Sequence, residues 1–321
     1  MKRLVCALLC AMLLLFACAQ AEETPVRVAS LKGPTSMGLV KLMQDAKEGA
    51  SANEYTFAVE GTADAIAPLL VRGELDIALV PCNLASVLYN NTKGAVQVVA
   101  INTLGVLYVV EAGETVNRVE DLAGKTIYST GKGTTPEFAL NYVLEKNGLD
   151  PEKDVTVEFK SEATEVASAL LNDAAAIAVL PQPYVTAVLA QNQDLRVALS
   201  LTEEWDRVGD GSAMITGVAI VRTEFAQQNP QAVADFLKEY AASTEYVNAN
   251  PAEAAVWIEE LEIAKAAIAE KAIPACNIVC ISGAEMMEKV SGYLSALYAQ
   301  NPEAVGGTLP DEAFYYLGEV A

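Results

Sequence analysis

The feature that most constrains the fold is a repeated passage from a short apolar, β-branched run into a helical pattern. The first passage joins the run Val26–Leu31 to apolar residues at helical spacing that continue to Glu48. Gly33-Pro34 between them cannot continue a strand, because proline lacks a backbone N–H and glycine favours bends. Thr35 or Ser36 can then act as N-cap. We therefore predict that a single helix begins at the carboxyl end of this strand.

The first turn of a helix has an electrostatic consequence at each such junction. Its backbone N–H groups have no partner within the helix and carry a partial positive charge of about half a unit, so they can receive an anionic or carbonyl oxygen. A second junction follows the buried strand predicted over residues 75–80, where Pro81 and Cys82 lead into a helix with Asn83 as its N-cap. At every junction, simple capping is the alternative to ligand binding.

The third junction, Gly131-Lys132-Gly133-Thr134-Thr135, is the richest in polar groups. It lies between a strand predicted to end at Tyr128 and a helix that begins at Pro136 and stops at Gly148. It is not a nucleotide loop, since the phosphate-binding consensus needs a glycine where Val119 stands. Its glycines, hydroxyls and cation instead predict a site for a small anion or polar group.

The first residues have the pattern of an export signal. Lys2-Arg3 precede an apolar run over residues 4–17, and Ala19-Gln20-Ala21 is a small-residue cleavage motif, so we predict a signal peptide over residues 1–21. Residues 15–18 also resemble a lipobox, in which Cys18 would receive lipid, and both processing routes are open. Either route places the mature protein outside the cytoplasm, released or lipid-anchored. No later stretch offers the ~20 apolar residues that span a bilayer.

Composition excludes several classes of function. The chain has 42 acidic and 21 basic residues, a formal charge of −21, which repels nucleic acid and anionic lipid. It contains no histidine, so Ser-His-Asp catalysis and histidine-based metal sites are not available. We predict a protein that is not an enzyme and uses no cofactor and no metal.

Three cysteines, Cys82, Cys276 and Cys280, lie beyond the leader. On an extended strand Cys276 and Cys280 would be about 13 Å apart, too far for a disulfide. A pair between Cys82 and one of them is left open.

The order of the predicted elements divides the chain into two units. Residues 22–110 and 222–321 form the first lobe, and residues 111–221 form the second. Strands near residues 106–111 and 216–221 would join the lobes as a hinge. Helical patterns at residues 231–247, 251–260, 263–272 and 283–300 present apolar stripes that we interpret as core. We identify no internal repeat.

These segments resemble the type II substrate-binding proteins of ABC importers, in the nitrate, sulfonate and taurine branch. The resemblance rests on residues 31–35, 73–85, 121–125, 131–136 and 216–218 and covers the mature chain. It implies a two-lobe α/β fold, each lobe a mostly parallel sheet flanked by helices. It also implies a monomeric binding protein that closes on a small-molecule ligand and presents it to a membrane permease.

Carried over by position, the resemblance implies ligand contacts in both lobes. Those of the first lobe are Gly33, Thr35, Ser36, Cys82 and Asn83. Those of the second are Lys132, Gly133, Thr134, Thr135, Gln182, Tyr184 and Thr216. Gln182 and Cys82 depart from the residues usual in the family, so the identity of the ligand does not transfer.

The junction loops also limit the class of ligand. They contain no arginine, which disfavours a phosphate or a dicarboxylate that needs a bidentate partner. We predict a small organic monoanion or a neutral polar heterocycle.

Two other functions fit the same fold. One is an enzyme of pyrimidine or menaquinone-precursor synthesis, although a pyrimidine-making relative would need histidines and an export signal is unexpected for cytoplasmic synthesis. The other is a ligand sensor for a membrane receptor, which the sequence does not separate from an import protein. Neighbouring permease genes would indicate import, and a receptor kinase gene would indicate sensing.

Overall fold

The computed structural model of the protein describes residues 24–208 and 211–318. The predicted signal peptide and Cys18 lie outside the described residues. The strands are β1 (Val26–Leu31), β2 (Tyr55–Glu60), β3 (Ile77–Pro81), β4 (Val96–Leu104), β5 (Leu107–Ala112), β6 (Thr126–Ser129), β7 (Thr156–Phe159), β8 (Ile177–Pro181), β9 (Leu195–Ser200), β10 (Ile215–Arg222) and β11 (Ile278–Ile281). The α-helices are α1 (Pro34–Met37), α2 (Val40–Lys47), α3 (Ala63–Val71), α4 (Cys82–Thr92), α5 (Thr135–Lys146), α6 (Ala163–Asn172), α7 (Tyr184–Gln191), α8 (Leu201–Arg207), α9 (Thr223–Gln228), α10 (Pro230–Ala249), α11 (Pro251–Glu260), α12 (Ala266–Ala272) and α13 (Gly283–Gln300).

Two sheets, each flanked by helices, form the two predicted lobes. The six-stranded sheet has the order β11-β4-β10-β3-β1-β2, and the five-stranded sheet has the order β7-β6-β8-β5-β9. In each sheet four strands run in one direction, while β10, β11 and β5 run against them. The two-lobe α/β prediction is confirmed. The structure adds that the reversed strands make both sheets mixed rather than mostly parallel in their pairing.

The chain crosses between the lobes just before β5 and just before β10. β5 pairs with β8 and β9 in the second sheet, and β10 pairs with β3 and β4 in the first. The two strands predicted to join the lobes therefore follow the two crossings directly, and each is hydrogen-bonded on both sides within a single sheet. Residues 107–110 accordingly lie in the second sheet, and residues 215–221 lie in the first.

Gly105 lies in the first crossing and is enclosed by side chains from the second lobe and from the returning segment. A Cβ at this position would lie 2.1 Å from Thr202 Oγ1 and 2.8 Å from Met214 Sδ. Thr202 belongs to α8, and Met214 immediately precedes β10. Only glycine leaves room for both contacts.

The two lobes repeat one topology at an offset of 100 residues. β1, β2, β3 and β4 correspond to β6, β7, β8 and β9, and the inserted strand β10 corresponds to β5. The sequence follows the same relation: Lys32-Gly33-Pro34-Thr35 aligns with Lys132-Gly133-Thr134-Thr135, and residues 77–81 align with residues 177–181. Our prediction of no internal repeat is wrong. Few residues are identical between the two halves, so the repeat is weak in the sequence and is recognised from the topology.

The single helix predicted from Thr35 to Glu48 is divided into α1 and α2. The Ser243 hydroxyl of α10 donates to the Gly38 carbonyl at 2.6 Å and accepts from the Leu42 N–H at 3.1 Å. A continuous helix would join these two backbone groups directly, so the inserted hydroxyl interrupts the ladder. The break is thus caused by a residue about 200 positions away in sequence.

Candidate ligand-binding site

The carboxyl-end edges of the two sheets meet where the chain first crosses between the lobes. Leu104 is paired with Ile215 in the first sheet, and Leu107 is paired with Pro181 in the second. The three-residue step from Leu104 to Leu107 spans at most about 11 Å. Because the strand-to-helix junctions begin at these same edges, junctions of both lobes converge on one region.

The first junction is built differently from its prediction. Gly33, with φ 129°, is the N-cap of α1, and no side chain accepts a cap hydrogen bond there. Ser36 is fully buried, and both its hydroxyl and its N–H donate to the Gly33 carbonyl at 3.0 Å. The predicted N-cap role of Thr35 or Ser36 is therefore wrong. α1 has four residues, so the dipole it presents is small.

The second junction is tied by its polar side chain to the C-terminal part of the chain. Pro81 is the N-cap of α4, so the predicted N-cap role of Asn83 is wrong. Asn83 instead donates Nδ2 to the Ala304 carbonyl at 3.4 Å. Cys82 is fully buried, and burial raises the pKa of its thiol far above the usual range, which keeps it neutral. Among residues 24–208 and 211–318, Cys82, Cys276 and Cys280 are free thiols, so Cys82 is paired with neither of the other two.

The third junction is the more exposed counterpart of the first. Gly131 and Gly133 have φ values of +71° and +74°, which glycine adopts without strain. The Thr134 hydroxyl donates to the Gly131 carbonyl at 2.7 Å. Lys132, Gly133 and Thr134 are exposed, and Thr135 is half-buried.

Two side-chain contacts at this junction were not predicted. The Gly133 N–H donates to the carboxylate of Glu137, which therefore already occupies one of the amides expected to meet a ligand. The Lys132 ammonium lies 6.0 Å from the ring centroid of Phe159. The cation is thus drawn toward the end of β7.

Gln182 directly follows β8, and its side chain is bonded to Thr186 in the first turn of α7. Its Oε1 accepts from the Thr186 hydroxyl at 2.8 Å and from the Thr186 N–H at 3.3 Å. The backbone N–H of Gln182 donates to the Val106 carbonyl at 3.0 Å. Because Oε1 is an acceptor in both bonds, the side-chain NH₂ is the part of Gln182 that can meet a ligand. Tyr184 begins α7 and is 36% exposed.

The lobes touch directly through both side chains and backbone. The Tyr108 hydroxyl donates to the Ala275 carbonyl at 2.8 Å, and burial raises the pKa of Tyr108 to about 12. Gln300 donates Nε2 to the Phe138 carbonyl at 3.1 Å. The rings of Trp205 and Tyr293 lie 5.6 Å apart, one from each lobe.

Beside the Gln300 contact, α5 and α13 enclose a groove of about 580 Å³. Its lining includes Glu145, Lys146 and Ser295. None of the predicted ligand-contact residues lines it.

Polar residues that the sequence reasoning missed lie at the ends of β4 and β10. Asn102 and Thr103 lie near the carboxyl end of β4, and both are fully buried. They stand beside Thr216, which was predicted. A signal was present, because an Asn-Thr pair directly after an apolar strand and before Gly105 is a polar interruption at a strand end.

Comparison with known protein families assigns the chain to one of them. Residues 91–254, more than half of the 321-residue chain, match the profile of a family described as NMT1/THI5 like. The chain belongs to the NMT1/THI5-like family. No curated protein sequence matches it. Among residues 24–208 and 211–318 of this NMT1/THI5-like protein, no helix has the length and apolar character to cross a membrane.

Solved structures share the two-lobe fold. An ABC transporter structure from Parabacteroides distasonis is 26% identical, covers 91% of this chain and 99% of its own, and has a TM-score of 0.76. The periplasmic aliphatic sulphonate-binding protein SsuA of Escherichia coli is 14% identical, covers 88% and 90%, and has a TM-score of 0.71. A Candida albicans protein described as having the generic periplasmic binding protein fold is 13% identical, covers 91% and 93%, and has a TM-score of 0.57. The NMT1/THI5-like protein thus has the periplasmic-binding-protein fold.

Proposed function

We propose that this protein is the extracytoplasmic solute-binding component of an ABC importer. It captures a small organic anion or polar heterocycle between its lobes and delivers it to a membrane permease. It acts as a monomer and carries out no catalysis. This agrees with the family, with the transport proteins among its structural relatives, and with a chain that lacks histidine.

The observation that carries the proposal is the convergence of equivalent junctions from both lobes. Thr35 and Thr135 occupy the same place in the repeat, just after β1 and within α5 just after β6. Pro81 and Pro181 also correspond, and they are the last residues of β3 and β8. Such strand ends at a topological switch point are where open α/β sheets bind ligands. The contacts that we propose are those predicted from the sequence: Gly33, Thr35, Ser36, Cys82, Asn83, Lys132, Gly133, Thr134, Thr135, Gln182, Tyr184 and Thr216.

A thermal-shift screen of the mature protein tests this function. Sulfonates, carboxylates, nitrate, pyrimidines and vitamins are added singly, because a solute bound only by the folded state raises the melting temperature. Thr35→Ala and Thr135→Ala are each expected to weaken the identified solute by about 1 kcal/mol. Thr156→Ala is the control, since Thr156 is exposed at the amino end of β7. A solute bound equally by all three variants would place the site elsewhere. A screen in which none of the solutes binds would contradict the function.

Export is part of the same proposal and has its own test. The mature protein is expected to begin at Glu22 if it is released, or at a lipid-modified Cys18 if it is anchored. Intact-mass measurement of the protein from its native cell separates these forms. A chain that retains residues 1–21 would contradict export.

A further inference from the structure

The two lobes contact each other on both faces of the second sheet. Val109 and Val110 are neighbours in β5, so their side chains point to opposite faces of that sheet. Val109 belongs to the same apolar core as residues of α5 and α8, and Val110 belongs to the same core as residues of α7. On the first of these faces α13 of the first lobe lies against α5 and α8, and on the second α12 lies against α7. We call these contacts the α13 side and the α12 side.

On the α13 side the two lobes share one continuous apolar core. Its buried side chains include Val98 and Leu294 of the first lobe and Val109, Leu140 and Trp205 of the second. Separating the lobes on this side would expose apolar side chains to water, and the cost rises with the apolar area exposed. The shared core therefore holds the lobes together here.

Two contacts along α13 fix its orientation on the second lobe. The rings of Tyr293 and Trp205 lie 5.6 Å apart, and the Gln300 side-chain amide donates to the Phe138 carbonyl at 3.1 Å. Tyr293 and Gln300 are two helical turns apart, so the contacts are separated by about 10 Å along the helix. Contacts at two such points resist any motion that would lift α13 from the second lobe.

On the α12 side each lobe has a core of its own. Among residues 24–208 and 211–318, the core that includes Ile273 contains no residue of the second lobe, and the core that includes Val110 and Val185 contains no residue of the first. The Tyr108 hydroxyl connects the lobes here by donating to the Ala275 carbonyl at 2.8 Å. Water can pair with both groups once the lobes separate, so the net cost of breaking this bond is small.

We propose that the lobes open on the α12 side while the α13 side acts as the pivot, and that the hydrogen bond from Tyr108 to Ala275 is the latch of the closed form. Solute then enters and leaves past α7 and α12. Gln182 and Tyr184 stand at the start of α7, so they lie beside this path. The inference rests on the proposed solute-binding function and adds the side on which the lobes part.

Spin labels on the solute-free mature protein test the two sides separately. The α12-side pair is Gln191→Cys on α7 with Glu270→Cys on α12. The α13-side pair is Glu145→Cys on α5 with Ser295→Cys on α13. All four residues are exposed, so the labels do not disturb either core.

The native thiols do not interfere with the labels. Both pairs carry Cys280→Ser, while Cys82 and Cys276 are fully buried, and intact mass verifies two labels per molecule. Double electron–electron resonance is expected to give a closed and an open distance for the α12-side pair and one distance for the α13-side pair.

Removal of the latch sharpens the test. Tyr108→Phe deletes the hydroxyl that bonds to Ala275, so the ratio of open to closed molecules reported by the α12-side pair is expected to rise about three- to tenfold. The distance of the α13-side pair is expected to stay unchanged. A distance that changes in the α13-side pair overturns the pivot, and a single α12-side distance in both the wild type and Tyr108→Phe overturns the opening.

Tyr55→Phe is the matched control. The Tyr55 hydroxyl is half-buried like that of Tyr108, but it donates to Glu239 at 2.6 Å within the first lobe. Tyr55→Phe is expected to leave both pairs of distances unchanged, and a rise in the open form equal to that of Tyr108→Phe would contradict the latch.

The results separate this inference from the function on which it rests. The label distances are measured without solute, so a failure of the predicted opening overturns the inference while solute binding stands. The proposed function fails only if the solutes of the thermal-shift screen produce no shift.

Discussion

The two lobes share a topology but neutralise their buried charge with unrelated residues. In the first lobe, Asp76 lies at the amino end of β3 with 2% of its surface exposed. The residue at the equivalent place in the second lobe is Ala176. There the buried carboxylate is Glu111, which belongs to the inserted strand β5 and is paired in register with Ile177.

The partners of the two carboxylates also differ in kind. Asp76 accepts from the Arg27 backbone N–H and guanidinium at 2.6–3.0 Å and from Arg222 at 3.2 Å, which ties β1 to β10. Glu111 accepts from Thr115 and Val116 of the adjoining loop and from Arg196 at 2.6 Å. A repeated fold therefore does not require repeated residues. The first lobe depends on a long-range ion network, and the second depends mainly on a local turn.

Deletion of the Asp76 carboxylate is expected to have the largest effect on stability. Asp76→Ala leaves Arg27 and Arg222 facing a buried gap, and we expect a loss of about 3–5 kcal/mol in the free energy of unfolding. Urea unfolding followed by circular dichroism measures it. Glu74→Ala is the control, because Glu74 is exposed and pairs with exposed Arg72, and no measurable loss is expected. A loss from Asp76→Ala no larger than that of the control would contradict the long-range role.

Acidification is expected to weaken the same network to a smaller extent. Burial acts to raise the pKa of Asp76, but hydrogen bonds from Arg27 and Arg222 outweigh it and lower the pKa below the usual value near 3.8. The stabilisation is therefore fully present above about pH 4 and is lost as the pH falls through the lowered folded-state value. Melting temperatures measured from pH 6 to pH 2 should fall more steeply below pH 4 for the wild type than for Asp76→Ala. Parallel curves would show that Asp76 does not contribute.

The crossing between the lobes gives a third test. Gly105→Ala forces a Cβ against Thr202 and Met214, and we expect a destabilisation of about 1–3 kcal/mol from overpacking. Gly61→Ala is the matched control, since a Cβ there meets nothing within 4 Å and the glycine has no positive φ. Thermal unfolding of both variants measures the difference, and equal melting temperatures would contradict tight packing at the crossing.

The smallest expected effect tests the difference between the equivalent first and third junctions. The Glu137 carboxylate binds the Gly133 N–H, whereas Met37, its equivalent in the first lobe, is buried and apolar. Glu137→Ala removes a charged partner from a helix start, so we expect a loss of about 0.3–1 kcal/mol in stability. Glu145→Ala, at the exposed far end of the same helix, should cause no loss. A stable Glu137→Ala variant would indicate that the amide is satisfied without this carboxylate.

Local patterns in the sequence predicted most of the helices and strands. The helices α11 and α13 have the bounds predicted for them, because periodicity and Gly or Pro punctuation act over a few residues. The helices α8 and α9 were not predicted, because each is too short to show a repeated apolar spacing of the helical period. The N-caps at Ser36 and Asn83 failed because each side chain found a different partner in the fold.

The sequence by itself determined that this chain has an α/β fold of alternating strands and helices, with polar, glycine-bearing junctions at the strand ends and no histidine chemistry. Those properties depend on residues within a turn or two of one another. Only the tertiary structure decided that β5 and β10 are exchanged between the sheets, that Ser243 divides the first helix, and that Tyr293 packs near Trp205 of the other lobe. Each of these joins segments far apart in the chain, and such contacts are selected by the packing of the whole molecule.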